Sequence, residues 1–405
     1  MNFSKIIARM ISIGALAGLI GFSAPAVYAQ DLDKLAVANN GFAFDLLKQI
    51  AKAQTNENIF ISPLSVSTAL QMVSDGAAGE TKMEMQRVLK TDGLPQAELN
   101  ADCKKLNQSL KSQKEVILDL ADGIWYQKRF HLKPGFIADN KNYFQAELGP
   151  VDFTNPKSAD IINNWAEKKT RGKIKNVVAF PFPPLTRMIL ANAIYFKGKW
   201  AEPFDRNLTK PRDFHLVGGE TEQAPMMSRR KKFSYQENSG FQAVRLPYAG
   251  YRLQMYLFLP ATNSSPQKLL ADFNGENWQS DILDNFSERE GFLAFPKFKL
   301  DYDIVLNDSL KSLGMRQAFS PEAANFSAMA DKRLFIDEVK QKSFVDVNEE
   351  GTEAAAVTTV TITALAARPV ERPFEMIVNR PFFFVIADER TRTILFMGIV
   401  NDPTK

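Results

Sequence analysis

Residues able to do chemistry are scarce in this sequence. There are two histidines, His131 and His215, and one cysteine, Cys103. A nucleophile is usually activated by a neighbouring base, most often His. Neither histidine lies in a recognisable motif. No G-x-S-x-G elbow, Walker A loop, H-E-x-x-H helix or G-x-G-x-x-G turn occurs. The counts exclude a Cys/His zinc site and a disulfide scaffold. No metal and no cofactor is expected. The adjacent acids Glu349 and Glu350 read as a solvated face. Lys104, Lys105, Lys111 and Lys114 read as the wet side of a helix, with a polyanion site as the rival reading. Cys103 reads as a partly buried thiol, with an intermolecular partner as the alternative.

One segment is ambiguous, with an ordinary edge strand or a flexible linker as its plain reading. Glu349 to Arg368 opens with two acids and Gly351. It then runs through small and β-branched residues without Pro or Gly until Pro369. Taken as a strand, Thr352, Ala354, Ala356, Thr358, Val360 and Ile362 share one face, all uncharged. Glu353, Ala355, Val357, Thr359, Thr361 and Thr363 share the other. β-Branched residues favour strands, whereas Ala in series is neutral or helical. The segment can sit as a loop or become a strand.

Around these residues stands an ordinary globular composition. The 405 residues are 45% hydrophobic and 24% charged, which argues against disorder, a coiled coil or a polytopic membrane protein. Phe dominates the aromatics with 31 copies, enough for a large core. A net charge of +4 is weak for a nucleic-acid binder, and none is expected as a partner. Lys5 and Arg9 precede an apolar run from Met10 to Phe22, followed by small residues up to Ala29. This reads as a secretory leader, residues 1–29, cleaved after Ala29. The run is too short to span a membrane comfortably. Residues 30–405 are then expected as an exported chain with no membrane attachment after cleavage.

Periodicity supplies the elements. Phe42, Leu46 and Ile50 lie on one helix face. Ser65 to Ser74 reads as a helix closed by Gly76, Glu80 to Lys90 and Ala159 to Thr170 as helices, and Leu306 to Leu313 as one capped by Gly314. Arg187 to Phe196 is nearly all apolar and suits a strand buried on both faces. Leu253 to Leu259 follows a turn and reads as half of a hairpin, and Phe382 to Ala387 and Ile394 to Val400 as another. With no repeat or linker in between, the chain reads as one large α+β domain.

Five stretches carry a resemblance. Asn58 to Ser65 reads NIFISPLS, Asn192 to Trp200 reads NAIYFKGKW, and Val347 to Ala356 reads VNEEGTEAAA. Asn379 to Phe382 reads NRPF, and Phe396 to Gly398 reads FMG. In this order over most of the chain they resemble the serpins, the serine-protease-inhibitor superfamily. The resemblance implies a single domain with a central mixed β-sheet, further sheets, about eight to nine helices and an exposed reactive loop near 349–370. It implies a monomeric suicide inhibitor whose partner is a target protease. The protease attacks the loop, an acyl-enzyme forms, and the freed loop inserts as a new strand into the central sheet.

The family's positions carry over one by one. The hinge is Glu349, Glu350, Gly351, Thr352, Glu353, Ala354, Ala355, Ala356, Val357 and Thr358. Counting seventeen residues from Glu349 places the scissile bond at Leu365-Ala366; Arg368 and Ala364 are the alternatives. Leu before the bond suits chymotrypsin-, elastase- or subtilisin-like proteases, and papain-like cysteine proteases remain open. Ser62, Ser65 and Asn192 match the shutter, and Gln341 stands where the family has His. Trp200, Lys297 and Glu349 match the breach, with Lys297 and Glu349 as an ion pair. The rival readings are a non-inhibitory carrier or chaperone, and a plain substrate. An inserting face tolerates no buried charge and no missing ladder donor. Thr352→Arg is therefore expected to abolish covalent trapping while cleavage continues, read as loss of a complex band on a denaturing gel.

Overall fold

A computed structural model describes residues 24–111, 116–352 and 372–405, with side chains from residue 34. Among the described residues the helices are α1 (Ala24–Ala53), α2 (Pro63–Ser74), α3 (Gly79–Val88), α4 (Gln96–Lys111), α5 (Pro134–Asp139), α6 (Lys157–Lys169), α7 (Pro266–Ala271), α8 (Gly275–Asn277) and α9 (Asn307–Leu313). The strands are β1 (Ile59–Ile61), β2 (Val116–Gln127), β3 (Glu147–Val151), β4 (Met188–Lys199), β5 (Lys210–His215), β6 (Thr221–Glu237), β7 (Phe241–Pro247), β8 (Leu253–Pro260), β9 (Ser287–Pro296), β10 (Phe298–Val305), β11 (Glu338–Asn348), β12 (Gly351–Thr352), β13 (Phe374–Ile377), β14 (Phe382–Asp388) and β15 (Thr393–Val400).

Two sheets share these strands. One runs β1-β15-β14-β8-β7-β6-β9-β13, with β5 on β6. The other runs β10-β11-β12-β4-β2-β3, and in it β11 also pairs directly with β4. This second sheet is mixed: β4 lies antiparallel to β2 and parallel to β11.

The apolar run at β4 has a simple cause. Alternate side chains of a strand face opposite ways. Leu190, Ile194 and Phe196 enter the main core, while Ile189, Ala191 and Ala193 enter a second cluster with Ile162 and Trp165 of α6. Both faces are covered, so both sets are apolar. On the core side Phe396 of β15 packs between Phe60 and Phe196, at 5.5 and 5.4 Å between ring centres. Aromatic rings thus join the two sheets.

The local readings meet the structure with two adjustments. Phe42, Leu46 and Ile50 are buried on α1, and Gly314 ends α9 with φ 118°. Gly76 does not cap α2, whose last cap is Asp75 in right-handed geometry. A Cβ at Gly76 would lie 2.7 Å from Met329 Cβ and 2.8 Å from Phe136, so glycine is there for packing. Leu253–Leu259 reads as an alternating strand, yet every residue of β8 is buried, because both faces of the sheet are covered there, with Tyr256 and Phe258 packed on Trp278 on one of them.

Candidate functional site: the seam between two parallel strands

The hinge begins where β11 ends. Glu349 and Glu350 turn the chain back, and Gly351-Thr352 enters between β11 and β4. Thr352 lies opposite Val347 on one side and Gly198 on the other, antiparallel to both. Gly351 has φ 141°, and a Cβ there would come within 2.2 Å of the Gly198 carbonyl oxygen. Only glycine fits this entry. Beyond these two residues β11 and β4 close directly on each other, from Phe344–Tyr195 to Glu338–Ile189. The sheet is therefore splayed at one end and zipped along the rest. Glu353 to Thr358, and Leu365 and Ala366, lie outside the described residues, as do Lys114 and Arg368.

The splayed end is held by a polar cluster. The Trp200 indole donates to the Asn348 carbonyl at 2.9 Å, and the Trp200 amide donates to the Glu350 carbonyl at 2.9 Å. Trp200 stacks on Tyr248 at 4.7 Å, and the Tyr248 hydroxyl lies 3.0 Å from that of Thr352, which is fully buried. Lys297 Nζ is 3.0 Å from Glu349 Oε2, and Thr209 donates to Glu349 Oε1 at 2.8 Å. Glu350 pairs with Arg206. The solvated-face reading of Glu349 and Glu350 is thus corrected. Both are buried, because the turn folds them under two cations supplied from distant parts of the chain. Burial alone raises the Glu349 carboxyl. Bonds from its own amide, Thr209 and Lys297 together outweigh it and hold the group below its ordinary value.

Midway along the seam lies a second cluster. Ser62 caps α2, where Pro63 at the first helical position needs no hydrogen-bonded amide. The Gln341 side chain donates to the Ser62 carbonyl at 3.0 Å and to Asn192 Oδ1 at 2.9 Å, and it accepts from the Ser62 amide at 3.0 Å. Asn192 donates to Ser65 Oγ and to Asp122 Oδ1. Ser62, Ser65, Asn192 and Gln341 therefore meet in one network. Gln341 and Asn192 are register partners across the seam, and Asp122 is the partner of Asn192 on β2. Sequence reasoning missed Asp122, Tyr248, Thr209 and Arg206. For Asp122 a signal existed: an acid between Ala121 and Gly123 in a largely apolar strand.

The remaining candidates lie elsewhere. Cys103 is buried on α4, and burial with nearby Asp102 pushes its thiol up to about 12, which leaves it unreactive at neutral pH. Lys104 bonds Asn142, Lys105 pairs with Asp102, and Lys111 bonds Gln145, all at the surface side of α4.

Residues 37–403 match the sequence model of the family Serpin (serine protease inhibitor), and the chain belongs to that family. It is 38% identical over 371 residues to an uncharacterized serpin-like protein of Thermococcus kodakarensis, covering 90% of this chain and 85% of the relative. It is 36% identical over 386 residues to a leukocyte elastase inhibitor of Bos taurus, covering 92% of this chain and all of the relative. The thermophilic serpin tengpin in its native state superposes with a TM-score of 0.82 at 30% identity, over 90% of this chain and 94% of that one. Human thyroxine-binding globulin complexed with thyroxine gives 0.83 at 28% identity, over 93% and 100%.

Lys297→Ala leaves Glu349 buried without its nearer cation. We expect a loss of about 1–3 kcal/mol at pH 7, read from urea unfolding. A carboxyl held low stabilises the native state above its unfolded value and stops doing so as pH falls through the native one. Wild type and Lys297→Ala should therefore converge as both are taken to about pH 3.

Proposed function

We propose that this serpin is an exported suicide-substrate inhibitor of serine endopeptidases, made with a leader at residues 1–29. The observation that carries the reading is the register of the hinge. Thr352 faces Gly198 and Val347 together. Continued one residue for one, Thr361 comes opposite Ile189 and Glu338, where the β4–β11 pairing ends. The odd segment is thus long enough to span the zipped seam, with residues 355–361 opposite it. Its uncharged residues suit a strand flanked on both sides. Leu365 then lies just past the end of the sheet.

The chemistry follows from that geometry. A serine hydroxyl attacks the Leu365 carbonyl carbon, the bond to Ala366 breaks, and the new amine leaves with a proton. Leu365 remains as an ester on the protease. Insertion of residues 353–362 as a strand adds a hydrogen-bonded ladder on each side, the familiar strand addition of serpins. Strand formation then competes with water for the ester. The small, uncharged face that starts at Thr352 favours this over the carrier reading, which needs no insertable face; the plain-substrate reading differs only in whether insertion outruns hydrolysis of the ester.

Mature protein mixed with a chymotrypsin-like or elastase-like protease should give a denaturant-resistant band near the sum of the two masses. The band should be absent with inactivated protease, and cleaved protein should melt much higher than intact protein. Cleavage without a band and without a gain in melting temperature would refute the proposal. Leu365→Arg should redirect trapping to a trypsin-like enzyme; an unchanged preference would move the bond elsewhere in the loop.

A further inference from the structure

The end of the seam away from the hinge carries an apolar surface that the fold leaves uncovered. β4 and β11 begin there. The Asp337 amide donates to the Met188 carbonyl at 3.1 Å, and the Thr186 hydroxyl donates to Asp337 Oδ2 at 2.7 Å. The chain reaches β4 through a loop, residues 180–185, that reads FPFPPL. Of its three large side chains only Phe182 turns inward, onto Phe153 at 5.1 Å between ring centres. Phe180 is 42% exposed and Leu185 60%. Val305, at the adjoining end of β10, is exposed as well. A groove of about 420 Å³ continues the surface from Pro184 and Leu185 to Phe319 and Phe335. Eight large apolar side chains are exposed among the described residues, and three of them gather at this end. Exposed apolar residues scattered singly are normal, whereas a group of them marks a contact surface.

The loop is stiff as well as apolar. Pro181, Pro183 and Pro184 each fix φ. The Thr186 amide donates to the Pro183 carbonyl at 3.0 Å. The Arg187 guanidinium donates to the Thr186 carbonyl at 2.9 Å and to the Pro184 carbonyl at 3.3 Å. Phe180 and Leu185 are therefore held outward on a braced frame. A partner that covers them orders little that is not already ordered.

We propose that the loop of residues 180–185 is the surface on which the captured protease rests, with the rim of its substrate cleft against Phe180 and Leu185. This inference rests on the insertion reading. The register that puts Thr361 opposite Ile189 leaves Leu365 four residues further on, a reach of about 13 Å. Leu185 precedes Ile189 by the same number of residues. The ester joins Leu365 to the serine of the protease, so the mouth of the protease cleft faces this end of the sheet. A cleft that accepts Leu is lined by apolar groups. The exposed Phe180 and Leu185 offer it an apolar surface at that distance. Covering them shields the ester. Water that adds to the ester carbonyl and releases the serine hydroxyl leaves Leu365 as a carboxylate and returns active protease, and the contact slows that step.

The test follows the covalent complex with a chymotrypsin-like protease. The double change Phe180→Ser with Leu185→Ser should leave the urea midpoint and the rate of complex formation unchanged, because both side chains are exposed and lie at the other end of β4 from the hinge. Its complex should release active protease about tenfold faster than wild type, as expected for losing two partly buried apolar side chains from a contact. Tyr251→Ser removes a side chain as exposed as Leu185 but beside the splayed end, and should release protease at the wild-type rate. Hydroxyl-radical labelling of Phe180 and Leu185 should fall several-fold in the wild-type complex. The reference is wild type cut in the loop by a metalloprotease, which attacks with water and forms no ester. Full labelling of the loop in the complex would overturn the proposal whatever the release rates. So would a double variant that releases protease no faster than wild type. A wild-type chain that forms no covalent band removes the inhibitor reading and this surface with it, whereas a stable band with the loop fully labelled removes this surface alone.

Discussion

Everything in this molecule that bears on function depends on how two parallel neighbours, β4 and β11, are held together. Their direct pairing runs over seven residues of each strand. At one end the sheet is already parted by Gly351 and Thr352. Parallel pairing is slightly less favourable per residue than antiparallel pairing. An antiparallel strand entering between them replaces one parallel ladder with two antiparallel ones. The fold thus holds a strand position between β11 and β4 whose first two places Gly351 and Thr352 fill.

What keeps that position closed is polar and local. At the splayed end, Lys297 and Arg206 neutralise the two hinge acids, and Trp200 and Tyr248 cover the first hinge residues. In the middle, a row of amide, hydroxyl and carboxylate groups crosses three strands above the start of α2. Buried polar networks are strong when every member is satisfied and costly when one is not. Such contacts open by exchanging partners, whereas an apolar seam would have to expose surface to water. The aromatic contacts of Phe60, Phe196 and Phe396 lie on the core side of the same strands and keep the two sheets joined.

Much of the fold is legible because long-range burial leaves short-range patterns. The Phe42, Leu46, Ile50 spacing marks α1, the apolar run at 187–196 marks a strand covered twice, and the Leu306 to Gly314 stretch marks α9 with its left-handed cap. The segment after Gly351 stands out for the opposite reason: its alternate residues from Thr352 are uncharged and mostly small, with no proline to bar a strand. Gly76 shows the limit. Its type signals a turn, yet its reason is the approach of Met329 and Phe136, residues far away in the chain.

The sequence by itself determined the family and the single-domain α+β architecture, and it singled out the uncharged segment that follows Gly351 and the positions Ser62, Ser65, Asn192, Gln341, Trp200, Lys297 and Glu349. These are properties of residue type and spacing, and they persist in the unfolded chain. Tertiary structure alone decided that Glu349 and Glu350 are buried, because their cations come from other strands and loops. It alone decided that Asp122 completes the row at Asn192 and Gln341, because only strand register sets three residues so distant in sequence side by side. Charge and hydrogen-bond polarity act over a few ångströms, and distances of that size between remote residues exist only after the chain has folded.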